Sequence, residues 1–164
     1  MNLLVQNNYL HSDLGRFACA IGRAGLTTNK IEGDHKTPVG EFKFQKIYYR
    51  KDKLGEFSFK IPFAVIQKND GWCDDPKSKQ YNQHIKFPFD ASAEKLFRDD
   101  DLYDLLCVIN YNTDPIVKGK GSAIFLHISK PNFEGTEGCV AIEKENIIEL
   151  AKKIDVSTKL IIKD

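Results

Sequence analysis

The chain has 164 residues, 41% of them apolar and 29% charged. That is enough hydrocarbon for one buried core and too much for a disordered chain. Lys plus Arg number 24 against 23 for Asp plus Glu, a net charge of +1. This balance gives no electrostatic footprint for a nucleic acid or a membrane surface, and no apolar run approaches the ~18 residues of a membrane span. The length fits a single domain over residues 1–164. The first residues, MNLLVQNNYL, have neither a basic leader region nor a long apolar stretch and do not read as a secretory signal. Two alternatives stay open: a cytoplasmic protein, or a form whose leader is missing.

In chain order, short apolar segments bounded by Gly, Pro, Asn or Asp read as strands. They are LLVQ (3–6), RFACAI (16–21), GEFKFQKIYY (40–49), KIPFAVIQ (60–67), DLLCVINY (104–111), AIFLHIS (123–129) and TKLIIK (158–163). In the third of these, Phe42, Phe44 and Lys46 alternate with Glu41, Lys43 and Gln45, the period of a half-buried strand. Two segments read as helices. ASAEKLFRDD (91–100) offers Ser92 as N-cap, with Lys95 and Arg98 toward its end. EKENIIELAKKI (143–154) places Ile147, Leu150, Ala151 and Ile154 on one stripe. Lys68 to Asp90 reads as irregular and Asp99–Asp101 as a solvated loop. Many short strands with two or more short helices predict a mainly β fold, a sandwich or partly open barrel.

The four cysteines are Cys19, Cys73, Cys107 and Cys139. No CxxC pair occurs, so no structural zinc site is expected. Cys19 and Cys107 lie in apolar strand-like segments and read as core residues. Cys139 differs: it ends the turn Thr136-Glu137-Gly138, twelve positions after His127. A cysteine nucleophile requires a base for its proton and amide N–H groups for an oxyanion. His127 suits the first need, since an unperturbed imidazole titrates near neutrality. Gly138 permits close backbone approach, and Thr136 adds a hydroxyl. The same pattern also fits a buried cysteine beside a satisfied histidine, and Glu137 would raise the thiol pKa unless it points away.

The run HIS…TEGCVAI resembles the catalytic motif of the YkuD-type L,D-transpeptidases, a His followed by Ser/Thr-x-Gly-Cys and an apolar residue. The likeness extends to IGRAGLTTNKIEGDHKTPVGEF (21–42), GWCDDPKSKQYN (71–82), LYDLLCVINYN (102–112) and GKGSAIFLHIS (119–129), as in the compact bacterial branch of that family. The resemblance implies a YkuD-like β-sandwich or partly open barrel and a two-step acyl transfer. Cys139 would attack a carbonyl of a peptidoglycan stem peptide to form a thioester, His127 would move the proton, and amides near Gly138 would steady the oxyanion. No cofactor or metal is implied. Peptidoglycan stem peptides are the implied partners, carbapenems the implied inhibitors, a monomer the expected state, and the periplasm or cell envelope the expected place. A hydrolase on the same scaffold, such as an L,D-carboxypeptidase, is the alternative. Many relatives carry Arg or Asn two places after the cysteine, where this chain has Ala141, and the spacer from His127 to Thr136 is short.

Candidate substrate-binding residues are Arg23, Trp72, Asp74, Tyr81, Asn82 and Asn112. Arg23, between two glycines, offers a fixed cation for a carboxylate. Trp72, Asp74, Tyr81 and Asn82 sit in the irregular stretch, where functional loops concentrate. Asn112 is a candidate for orienting a catalytic group. Cys73 is a rival nucleophile disfavoured by Asp74 and Asp75 beside it. His11 and His84 have no evident partner.

Overall fold

The computed structural model describes all residues, Met1–Asp164. The chain opens with β1 (Asn2–Gln6), β2 (Tyr9–Ser12) and β3 (Gly15–Ala20), an antiparallel meander. The β1–β2 turn is Asn7-Asn8, both with positive φ (53° and 61°). That is the backbone a tight hairpin demands and asparagine tolerates. Two short strands, β4 (Leu26–Thr27) and β5 (Thr37–Pro38), pair with each other, and β6 (Gly40–Tyr49) follows. A single helical turn, α1 (Lys51–Leu54), leads to β7 (Phe63–Val65). An excursion then carries β8 (Asp70–Cys73), β9 (His84–Lys86) and β10 (Ala93–Lys95). The chain returns through β11 (Leu105–Ile109), β12 (Phe125–Ile128), β13 (Val140–Ile142), α2 (Lys144–Ala151) and β14 (Lys159–Ile162).

The main sheet runs β11-β12-β13-β3-β2-β1-β14-β6-β7, and β6 also pairs with β11. The second pairing closes the sheet into the barrel-like form that the alternation implied. β6 is long enough to do this. Its first half pairs with β14 and its second half with β11, with an irregularity at Val108/Ile109 of the partner strand. The shift explains why Ile47 and Tyr49, rather than Lys46, join Phe44 in the core.

Alternate residues of the central strands go to two different cores. Leu105, Cys107, Ile109, Leu126 and Ile128 join the large core with Leu3, Leu160 and Ile142. Leu106, Val108 and Phe125 face a second, smaller cluster with Trp72, Leu96, Tyr103 and Cys139. The excursion β8–β10 covers this second face. Helix α2 seals the first core with Ile147, Leu150 and Ala151. Its start is pinned by Lys144, which with Lys53 of α1 pairs with buried Asp104 at 2.9 and 3.0 Å.

Residues 91–100 do not form the expected helix. Ala93–Lys95 pair antiparallel with Gly71–Cys73, and the Leu96 amide donates to the Asp70 carbonyl. A ten-residue segment gains little from helix propensity alone, whereas the strand satisfies the β8 edge and inserts Leu96 fully into the second core. The stretch 68–90 is likewise less irregular than its composition suggested, since it contains β8 and β9.

Replacing Ile147 by Ala leaves a hole where α2 meets the barrel. A loss of about 2–5 kcal/mol in urea unfolding is expected, with the far-UV spectrum of the folded protein unchanged.

Candidate active site

β12 and β13 are adjacent and parallel, with His127 opposite Ala141 and Leu126 opposite Val140. The strand alternation that sends Leu126 and Ile128 inward turns His127 to the other face. Cys139 lies just before β13 on the same side. Both line one cleft of about 480 Å³, together with Gly138, Thr136, Glu94 and Tyr103 among others. Each is 6% exposed, so the two groups meet the cleft through narrow openings.

Local geometry fixes each group. The His127 Nδ1 lies 2.8 Å from the Ile128 carbonyl. A carbonyl can only accept, so Nδ1 carries the hydrogen and the basic lone pair is left on Nε2. The Tyr103 ring stands edge-on to the imidazole, centroids 5.3 Å apart. Burial, the largest cause, drives His127 down to about 4. The Cys139 thiol donates to the Ala123 carbonyl at 3.1 Å, and its sulfur accepts the Phe125 amide at 3.3 Å. Burial first, and then the charge of Glu94, push this thiol up to about 12. Both shifts favour the neutral pair, thiol and imidazole, over thiolate and imidazolium.

Gly138 has φ +145°, and a Cβ there would meet the Lys36 carbonyl at 3.0 Å. The Thr136 hydroxyl accepts the Gly138 amide at 3.1 Å and donates to the Cys139 carbonyl at 2.7 Å. Thr136 thus staples the turn rather than facing a reacting atom, and the Gly138 amide is already engaged. The Cys139 amide, like that of Glu137, has no partner within the protein. From behind, buried Thr37 accepts the Gly22 amide at 2.8 Å and donates to the Gly138 carbonyl at 2.9 Å. Lys30, also buried, passes between two glycines: a Cβ on Gly121 would meet its Cε at 3.0 Å, and one on Gly138 its Nζ at 3.4 Å.

Glu137, adjacent to the cysteine in sequence, points away. It pairs with Arg23 at 3.0 Å and with His35. Of the candidate substrate-binding residues, Asp74 lines the cleft. Arg23 sits beside it, its amide donating to the Thr136 carbonyl at 2.8 Å. Trp72, Tyr81, Asn82 and Asn112 are not on its walls; they build the wall from behind. The Trp72 indole donates to Asn82 Oδ1 at 3.0 Å, and that oxygen also accepts the Ala123 amide at 3.0 Å. Asn82 therefore fixes the residue whose carbonyl receives the thiol. Tyr81 donates to Glu32 at 2.7 Å and accepts the Gly121 amide at 2.9 Å. Asn112 closes its own loop through Val117 and Gly121. The rival Cys73 is fully buried in β8. His84 has a partner after all, Asp70 at 2.8 Å, and stacks on Tyr48. Glu94, Tyr103, Glu32 and Ser122 are cleft residues that sequence reasoning missed. Glu94 was hidden by its assignment to a helix.

The model of the L,D-transpeptidase catalytic domain, YkuD, matches residues 4–162. The chain belongs to this family. Two solved structures are similar over 99% of the chain: Bd1075 from Bdellovibrio bacteriovorus, 21% identical with a TM-score of 0.52, and the helical cell shape determining protein Pgp2 from Campylobacter jejuni, 16% identical with a TM-score of 0.49. The chain spans 47% of each, less than half their length. Among curated proteins none matches the sequence. Within the YkuD fold, Ala141 is fully buried between His127 and Ala20 in the sheet register, which leaves the position after Val140 without a polar side chain. No helix is long and apolar enough to cross a membrane.

A histidine held neutral by burial binds its proton more readily when unfolded. Stability credited to His127 is complete above the ordinary value of 6.5 and is lost as pH falls toward 4. Urea titrations should show the wild type losing about 2–3 kcal/mol relative to His127→Gln across that window; a constant difference between the two would contradict the assignment.

Proposed function

We propose that this protein is a cysteine-dependent acyltransferase of the L,D-transpeptidase type, acting on peptidoglycan stem peptides through a thioester on Cys139. The observation that carries this reading is the joint presence of the Cys139 thiol and the His127 imidazole in one cleft, with the imidazole's tautomer fixed by the Ile128 carbonyl. Family membership supports the substrate class. A stem peptide entering the cleft brings its carbonyl against Sγ, and the thiol proton leaves Ala123 for the lone pair of His127. The sulfur attacks the carbonyl carbon while the Cys139 amide faces the developing oxyanion. The C–N bond then breaks and His127 returns the proton to the departing amine.

The acyl group passes next to an amine of a second stem or to water. Transfer to water would make the enzyme an L,D-carboxypeptidase. Buried Ala141 favours keeping this second reading, because it provides no side chain to hold an acceptor's carboxylate. The substrate assigns the working place to the cell envelope, with cytoplasmic processing of wall fragments as the alternative. Incubation with a disaccharide-tetrapeptide separates the two reactions: cross-linked product marks transfer, loss of the terminal residue alone marks hydrolysis.

Cys139→Ala should abolish the mass shift produced by a carbapenem while the protein keeps its circular dichroism spectrum. His127→Ala should slow that acylation by roughly 100-fold or more. A carbapenem adduct that persists in Cys139→Ala would remove the assignment.

A further inference from the structure

The reaction above uses two of the titratable groups in the cleft. Among the other titratable side chains that line it, Glu94 and Tyr103 have no assigned part. Strand β10 carries Glu94 to the wall, and the Tyr103 hydroxyl donates to its carboxylate. The same Tyr103 ring lies edge-on to His127 and to Phe125, centroids 5.3 and 5.9 Å apart. The Phe125 amide in turn donates to the Cys139 sulfur. The Tyr103 side chain thus touches the Glu94 carboxyl through its hydroxyl and the His127 imidazole through its ring. Glu94 opposes ionisation of Cys139, so as a bystander it would only hinder the first step.

The charged groups facing Glu94 are Asp74, Glu32 and Arg98. Arg98 does not pair with it, because its guanidinium is held by Asp100 through bonds of 2.8 and 2.6 Å. Glu32 is held by Tyr81 and Ser122. Asp74 keeps one buried oxygen without a partner. Glu94 is therefore a carboxyl with no cation of its own, hydrogen-bonded by one phenol and open to the substrate cleft.

We propose that Glu94 is the general base of the second half-reaction, with Tyr103 as its positioning residue. The inference rests on the thioester reading of Cys139. As the nucleophile, water or an amine, bonds to the thioester carbonyl carbon, its proton passes to the Glu94 carboxylate. When the tetrahedral species collapses, the C–S bond breaks, and the proton held by Glu94 is returned to the departing sulfur. The cysteine and the carboxylate are both regenerated.

The electrostatics favour this division. Burial, reinforced by Asp74 and Glu32, lifts Glu94 to about 7, whereas His127 is driven down to about 4. A base poised near the working pH is more effective toward water or an amine than an imidazole held well below it. The hydrogen bond from Tyr103 acts in the opposite sense and favours the carboxylate.

The test is single-turnover kinetics on a synthetic stem tetrapeptide, followed by intact-mass spectrometry across pH. For the wild type, release of the acyl group should rise with pH through an apparent pKa near 7. In Glu94→Gln, acylation should be retained within about threefold, the acyl-enzyme should accumulate, and release should slow about 100-fold or more and lose that limb. In Tyr103→Phe the limb should persist but move to higher pH. Glu94→Gln releasing the acyl group at the wild-type rate, or both steps slowing equally with the limb intact, would overturn the proposal. If Glu94→Gln does not fold, an unmoved limb in Tyr103→Phe overturns it instead. A wild type that forms no peptide adduct removes the thioester reading itself, a result distinct from either.

Discussion

The Cys139 thiol is held between the Ala123 carbonyl and the Phe125 amide, at the start of the neighbouring strand β12. Much of the structure can be traced outward from that clasp. Ala123 is fixed by Asn82, Asn82 by the Trp72 indole, and Trp72 by Phe125 and Tyr48 in the second core. On the other side, Thr37 and Thr136 hold the Gly138–Cys139 carbonyls. A sulfur so enclosed is stabilised as a neutral thiol, because burial penalises the thiolate more than one amide hydrogen bond favours it.

The fold supplies this arrangement by a simple device. Two parallel strands place a histidine and a cysteine on the face opposite the large core, and an excursion of three short strands then roofs that face. The site is half core and half cleft. Its aromatic residues, Tyr103, Phe125 and Trp72, pack as core residues, while the polar ends of Tyr103 and Glu94 reach the cleft. The low local polarity that raises the thiol also raises Glu94 and lowers His127. A bound substrate that displaces the thiol proton from Ala123 toward His127 would draw on the same dry environment, in which each hydrogen bond is worth more than in water.

Legibility in the sequence was uneven for physical reasons. The alternation in β6, the stripe of α2 and the short strands β1, β3, β11 and β12 followed from local periodicity, and the His127–Cys139 pairing from a motif. The 91–100 segment misled because Ser92 reads as an N-cap and Lys95 and Arg98 as the basic end of a helix, while the unpaired edge of β8 chose a strand. The hairpin β1–β2 was readable from Asn7-Asn8 and was missed. Trp72, Tyr81, Asn82 and Asn112 were expected to meet the substrate, but none of them lies on the cleft wall, and only three-dimensional placement shows that they brace it from behind. Glu94 and Tyr103 carry no local signal, since their meaning comes from the excursion folding back onto β12.

The central claim is that Cys139 rests as a neutral thiol and ionises only as its proton is transferred. The pH dependence of Cys139 alkylation by iodoacetamide, followed by peptide mass mapping, tests this directly. Reaction should be slow at neutral pH and keep accelerating up to about pH 10 without a plateau. A plateau between about pH 4 and 7, the mark of a preformed thiolate–imidazolium pair, would contradict it.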